Sequence, residues 1–170
     1  MSLNLSQLTV PVFVRGLTVL STLLKKAEEH ALHAGIASET LIGARLASDM
    51  LPLSGQIQRA SDTSKFAVQR LSGGTAPKFA DDETTFAQLQ ERIAKTIAYL
   101  QSVDASLIDA GSTRDVAVQW GPTTTSFTAP NYVLTMALPN FYFHVATAHG
   151  ILRSQGVPIG KLDYLGPFNG

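Results

Sequence analysis

The chain has 170 residues, no cysteine, and thirteen Lys/Arg balanced by thirteen Asp/Glu. That length suits one domain around a single core, and 45% apolar with 8% aromatic residues excludes a disordered chain. The charge balance supplies no long-range field for nucleic acid or an anionic membrane, and the missing cysteine removes disulfides, thiolate metal sites and cysteine nucleophiles.

The N-terminal stretch MSLNLSQLTVPVFVRG lacks the basic region and uninterrupted apolar stretch of a signal peptide. No run of about eighteen apolar residues reads as a membrane span. The expectation is a cytoplasmic protein that engages neither nucleic acid nor membrane.

Helix one is predicted over about 6–34. Phe13, Leu17, Leu20, Leu24, Ala27 and Ala31 recur at spacings of four and three, and Gly35 stops the run. Helix two is predicted over about 40–72 on Leu46, Met50, Leu53, Ile57, Ala60, Ser64, Ala67 and Leu71, the seam of a shallow-angle bundle helix. Pro52 requires a kink there, or a restart with Ser48 or Asp49 as cap. Asp62 and Lys65, at i and i+3, read as a solvated pair on its outer face.

Residues 72–84 form a Gly/Pro-containing link. At about 3.3 Å per residue it spans roughly 40 Å, enough to run the length of helix two and make helices two and three parallel. Helix three, about 85–103, opens on Thr85-Phe-Ala-Gln88, a capping-box spelling, and buries Phe86, Leu89, Ile93, Ile97 and Leu100.

From 114 to 128 the period changes to two. Val116, Val118 and Trp120 alternate, Gly121-Pro122 turns, and a β-branched run follows, so a small hairpin is predicted, docked through Trp120. Helix four is predicted over about 131–155, with Asn131 as cap and Leu134, Ala137, Phe141, Ala148 and Leu152 inward. Pro139 should bend it and free the Thr135 carbonyl. The tail, 157–170, reads as irregular, held by Ile159, Leu162, Tyr164, Leu165 and Phe168.

His144 and His149 are five residues apart, about 140° around a helix, so they cannot both grip one ion. The i+4 partner of His144 is Ala148. If helices one and two are antiparallel, His30 lies near Asp49, and His144 approaches the same end. Two imidazoles and a carboxylate form an open set for zinc, nickel or iron. Each also has a plain structural role: Asp49 a helix cap, His30 a last-turn partner, His144 a hydrogen-bonded core residue. No phosphate loop, nucleophile elbow or dinucleotide fingerprint is present.

KKAEEHA (residues 25–31), RLASDMLPLSGQIQRASDTSK (45–65), LPNFYFHVATAHGILRSQGV (138–157) and IGKLDYLG (159–166) resemble an uncharacterised domain-of-unknown-function family. It sits within the DinB/YfiT-like metalloenzyme superfamily. The resemblance covers nearly the whole chain. It implies an all-α four-helix bundle, up-down-down-up, with a long crossover between helices two and three and a small hairpin between helices three and four. In that superfamily many members hold a divalent metal with three histidines, and some are thiol-dependent transferases or isomerases. His144 matches the first helix-four histidine; Ala148 stands at the second position, and helix two has none.

Two readings follow. The first is a non-catalytic helical-bundle homodimer, structural or binding a small molecule in a pocket near Trp120, Tyr142, His144 and His149. The alternative is a metal-dependent transferase or hydrolase with a divalent ion at His30, Asp49 and His144. The incomplete ligand set favours the first.

Overall fold

The computed structural model describes residues 3–167. The protein is mostly helical, with one two-stranded hairpin. Helix α1 (Leu5–Ala34) starts after Asn4, whose backbone N–H donates to Gln7 Oε1 at 3.0 Å, and ends at Gly35. Gly35 sits at φ +66°, the left-handed conformation that glycine adopts at least cost.

The expected helix two is two helices. A short α2 (Ser38–Ile42) is followed by an exposed turn, and α3 runs Leu53–Ser72. Pro52 lies at the cap position of α3, so neither Ser48 nor Asp49 caps it. The cause is steric: the residue before a proline is disfavoured in the α conformation. The turn is closed by Leu53 N–H donating to Ala44 O at 2.9 Å and by Arg45 Nη1 donating to Met50 O. From Leu53 onward the predicted seam holds, and Leu53, Ile57, Ala60, Ser64, Ala67 and Leu71 are buried. Leu46 falls in the turn and is exposed.

Helix α4 (Phe86–Ser102) has the predicted cap: Gln88 N–H donates to Thr85 Oγ1 at 3.2 Å, and Thr85 N–H to Gln88 Oε1 at 3.0 Å. The link before it runs back along α3. Ala76 N–H donates to Gln69 Oε1, Phe79 covers Lys65, Asp81 pairs with Arg59, and Gln58 donates to Glu83. Chain position rises on one side as it falls on the other, so this crossover segment runs antiparallel to α3.

Its grip is ionic and buried. Lys65 is only 1% exposed and Arg92 3%, against the expectation of a solvated Asp62–Lys65 pair. Asp62 Oδ1 receives Lys65 Nζ at 2.9 Å and Arg92 Nη2 at 3.0 Å, and Asp62 Oδ2 receives Arg59 Nη2 at 3.0 Å. Arg92 Nη1 reaches Glu83 at 2.8 Å and Asp81 at 3.0 Å. The Phe79 ring lies 4.3 Å from Lys65 Nζ and 5.4 Å from the Arg92 guanidinium carbon, placing its negative face against both cations. Burial alone would raise Glu83; the bonds from Arg92 and Gln58 outweigh it and hold the carboxyl below its usual range.

A short α5 (Ala105–Ala110) and a 3-10 turn lead to the predicted hairpin, β1 (Asp115–Trp120) and β2 (Thr123–Thr128). The strands are antiparallel, with Val116 opposite Phe127 and Trp120 opposite Thr123. Val116 and Val118 are buried, whereas Trp120 is 50% exposed, so the valines anchor the hairpin rather than Trp120.

The expected helix four begins early, as α6 (Ala129–Tyr132), passes through a π turn at Val133–Ala137, and continues as α7 (Leu138–Ser154). Thr128, not Asn131, is the cap residue. In the wide turn Leu138 N–H donates to Val133 O, five residues back, which absorbs the donor missing at Pro139. Val133 is buried and Leu134 is exposed, contrary to the inward position expected for Leu134. The tail is not wholly irregular: α8 (Lys161–Leu165) docks on α1 through Lys26–Asp163 at 2.6 Å. Leu162 is exposed rather than an anchor, and Phe168 lies outside the described residues.

α1, α3, α4 and α7 share one core. By length and composition α1 also resembles a membrane span, but Leu17, Leu20 and Leu24 are buried against the other long helices. At Gly16 the missing side chain admits the Phe141 ring, which meets Phe13 edge-on with centroids 5.0 Å apart.

Asp62→Asn leaves Lys65 and Arg92 buried without their shared carboxylate and should cost about 3–5 kcal/mol in urea denaturation. Lys95→Ala, which breaks the exposed Glu91–Lys95 pair, should cost no more than about 0.5 kcal/mol. Similar losses for the two would contradict the buried-network account. Gly16→Ala drives a methyl into Phe141 and should cost about 1–3 kcal/mol in the same assay.

Candidate functional site

His144 is on α7, 8% exposed, facing α3. Gln56 Nε2 donates to the Leu51 carbonyl at 3.0 Å, so its Oε1 is the atom turned to His144 Nδ1 at 2.8 Å. An amide oxygen only accepts, so Nδ1 carries the hydrogen. Burial, helped by the nearby Arg59 charge, lowers the imidazole pKa from 6.5 to about 4, and the ring is neutral at ordinary pH.

The other residues singled out in the sequence lie apart from it. Asp49 is exposed in the turn before α3, and His30 lines a shallow hollow with Lys26, Glu29, His33 and Pro158. Among the described residues no three His, Asp or Glu side chains converge as a metal site would require. His30, Asp49 and His144 therefore do not come together as a three-ligand cation site.

His149 donates from Nε2 to Gly160 O at 3.0 Å and meets Tyr164 edge-on, so it fastens the tail. Tyr142 is partly exposed beside Phe141, and partial burial, with a further push from Tyr164 and some opposition from Arg15, raises its hydroxyl pKa. Trp120 lines a separate cleft, so the three do not share one pocket.

That cleft lies between α3, the π turn with the start of α7, and the hairpin tip. Its volume is about 210 Å³. Phe66, Trp120 and Tyr132 give it aromatic walls, and Thr63, Arg70 and Asn140 are among its polar lining. Asn140 Nδ2 donates to Thr63 Oγ1 at 2.8 Å, tying α7 to α3. Arg70 Nη1 donates to Tyr132 Oη at 3.1 Å, and its guanidinium lies 5.9 Å from the Phe66 ring centre and 5.8 Å from that of Tyr132. Burial raises the Tyr132 pKa, partly opposed by Arg70. Among the described residues Arg70 has no carboxylate within ion-pair distance. Apart from Trp120, periodicity shows none of this: Arg70 reads as an ordinary polar position near a helix end.

The family described as Domain of unknown function (DUF1993) matches residues 5–165. The chain belongs to the DUF1993 family. The crystal structure of a DinB family member protein from Shewanella denitrificans superposes with a TM-score of 0.91 at 38% identity, covering 98% of this chain and 94% of that one. No curated protein matches. Membership in DUF1993 accounts for the helical fold with its hairpin and carries no established activity, so the function of the DUF1993 chain has to be argued from its own side chains.

The neutral His144 predicts an acid-sensitive fold. Below pH 6.5 the unfolded imidazole takes up a proton that the folded one refuses until about pH 4. The unfolded state then binds more protons, so stability falls as pH drops through that window, by up to about 3 kcal/mol. His144→Gln, which keeps a polar contact to Gln56 without titrating, should flatten this part of the pH–stability curve relative to the unsubstituted protein. Parallel curves in chemical denaturation would show that His144 is not the group responsible.

Proposed function

We propose that the protein is a non-catalytic small-molecule-binding helical bundle whose ligand sits in the cleft under Trp120. One observation carries the reading: three aromatic rings and several polar side chains line one concavity, and the indole is left half-exposed at its rim. Binding sites commonly pair an apolar wall with a few fixed polar groups. The larger hollow between α1 and the tail, about 420 Å³, offers less. Its charged groups are already satisfied, with Lys26 on Asp163 and Arg15 on the carbonyls of Leu165 and Pro167.

The same reading has the four long helices running up-down-down-up. Its support is in the pairings: Ser6 with Asp109 and Ser21 with Gln90 for α1 against the α4–α5 segment, and Gln56 with His144, Thr63 with Asn140 and Arg70 with Tyr132 for α3 against the last helix. In both sets one number rises as the other falls. We also place the protein in the cytoplasm as a homodimer. Support for the dimer comes from the exposed Phe143 and, two turns along α7, from exposed Leu46 beside Gly150.

A screen of small metabolites followed by amide NMR tests the binding site. Bound compounds should move the signals of residues 118–120 and 136–140, and Trp120→Ala should weaken them roughly tenfold through lost ring contact. Compounds that shift only other regions, or none that bind, would end this reading. For the dimer, sedimentation should give twice the chain mass, and Phe143→Asp should halve it.

A further inference from the structure

Resting on the cleft as the binding site, we infer that its ligand is a small monocarboxylate on a flat apolar body, with Arg70 holding the carboxylate. One cation of the cleft stands outside the ionic network. Arg59, Lys65 and Arg92 share Asp62, Asp81 and Glu83. Each of these carboxylates is taken by those three cations, whereas Arg70 meets no carboxylate among the described residues.

That guanidinium is held in place. It is half-buried, one nitrogen is bonded to Tyr132 Oη, and the rings of Phe66 and Tyr132 flank it. A cation already ordered and partly stripped of water loses little more on meeting an anion, and its remaining N–H groups form a fork that suits a carboxylate. A single guanidinium without a carboxylate partner matches a monoanion. A dianionic phosphate would bring a second negative charge close to Asp62, which also lines the cleft.

Size and wall chemistry define the rest of the ligand. At about 30 Å³ per water, 210 Å³ holds roughly seven waters, the space of one substituted aromatic ring. The Trp120 ring at the hairpin tip and the Val118 and Met136 side chains supply apolar surface for such a body.

The test uses the full chain with benzoate, benzamide and phenyl phosphate as probes, followed by amide NMR titration. Benzoate should shift the Trp120 indole and Asn140 side-chain signals, and benzamide should bind about tenfold more weakly or worse, as expected for loss of a charge-assisted hydrogen bond. Arg70→Met should remove most of the benzoate affinity while leaving benzamide nearly unchanged, and Arg70→Lys should recover part of it. Benzamide binding as well as benzoate in this cleft, or phenyl phosphate binding more tightly, would overturn the inference while the cleft remained a binding site. Absence of binding by all three probes, in a protein whose cleft does take other compounds, overturns the monocarboxylate assignment alone. If the cleft takes nothing from any screen, both readings fall. Should Arg70→Met not fold, the comparison of benzoate with benzamide on the unsubstituted chain decides.

Discussion

Two long cations, Lys65 and Arg92, are almost completely removed from water, and the molecule is arranged around that fact. Isolated burial of either charge would cost several kcal/mol, so each must be met by carboxylates placed at hydrogen-bonding distance. Asp62 comes from the same helix as Lys65, but Asp81 and Glu83 come from the crossover. The crossover is therefore pinned along α3, with Phe79 laid against both cations, and α4 is fixed in register because Arg92 belongs to it.

The other side of α3 is tied to the last helix by three polar rungs: Gln56 to His144, Thr63 to Asn140 and Arg70 to Tyr132. The π turn before Pro139 matters here. It satisfies a donor shortage in the backbone and sets the buried positions so that Tyr132 and Val133 point inward together. His144 is a member of this ladder, which explains why a histidine stands on an apolar seam without neighbouring ligands. The cleft is the space left where the ladder, the hairpin tip and the ionic network meet. Arg70, outside the ionic network, leaves that space with one guanidinium that no carboxylate meets among the described residues.

Family membership and the close superposition on a DinB family member account for the fold and stop there. A shared bundle does not transmit chemistry when the side chains differ, because function resides in particular groups placed on the scaffold. In this chain Ala148 faces the core one turn after His144, and Gln56 bonds His144 from α3, so this pair ties α7 to α3.

Local backbone chemistry was readable in the sequence. Apolar spacing located the long helices, Thr85 and Gln88 announced the start of α4, Gly35 marked the end of α1, and the change to period two with Gly121-Pro122 marked the hairpin. Link length showed that the segment could run along α3, because reach is a property of the chain alone. The restart at Pro52, the π turn, the burial of Lys65 and, among the described residues, the lack of a carboxylate beside Arg70 were settled only in three dimensions. Asp62 and Lys65 look like any exposed i, i+3 pair until Phe79, Asp81, Glu83 and Arg92 arrive from fourteen or more positions away. Periodicity reports how a segment bonds to itself, whereas desolvation and charge balance depend on which distant segments close over it.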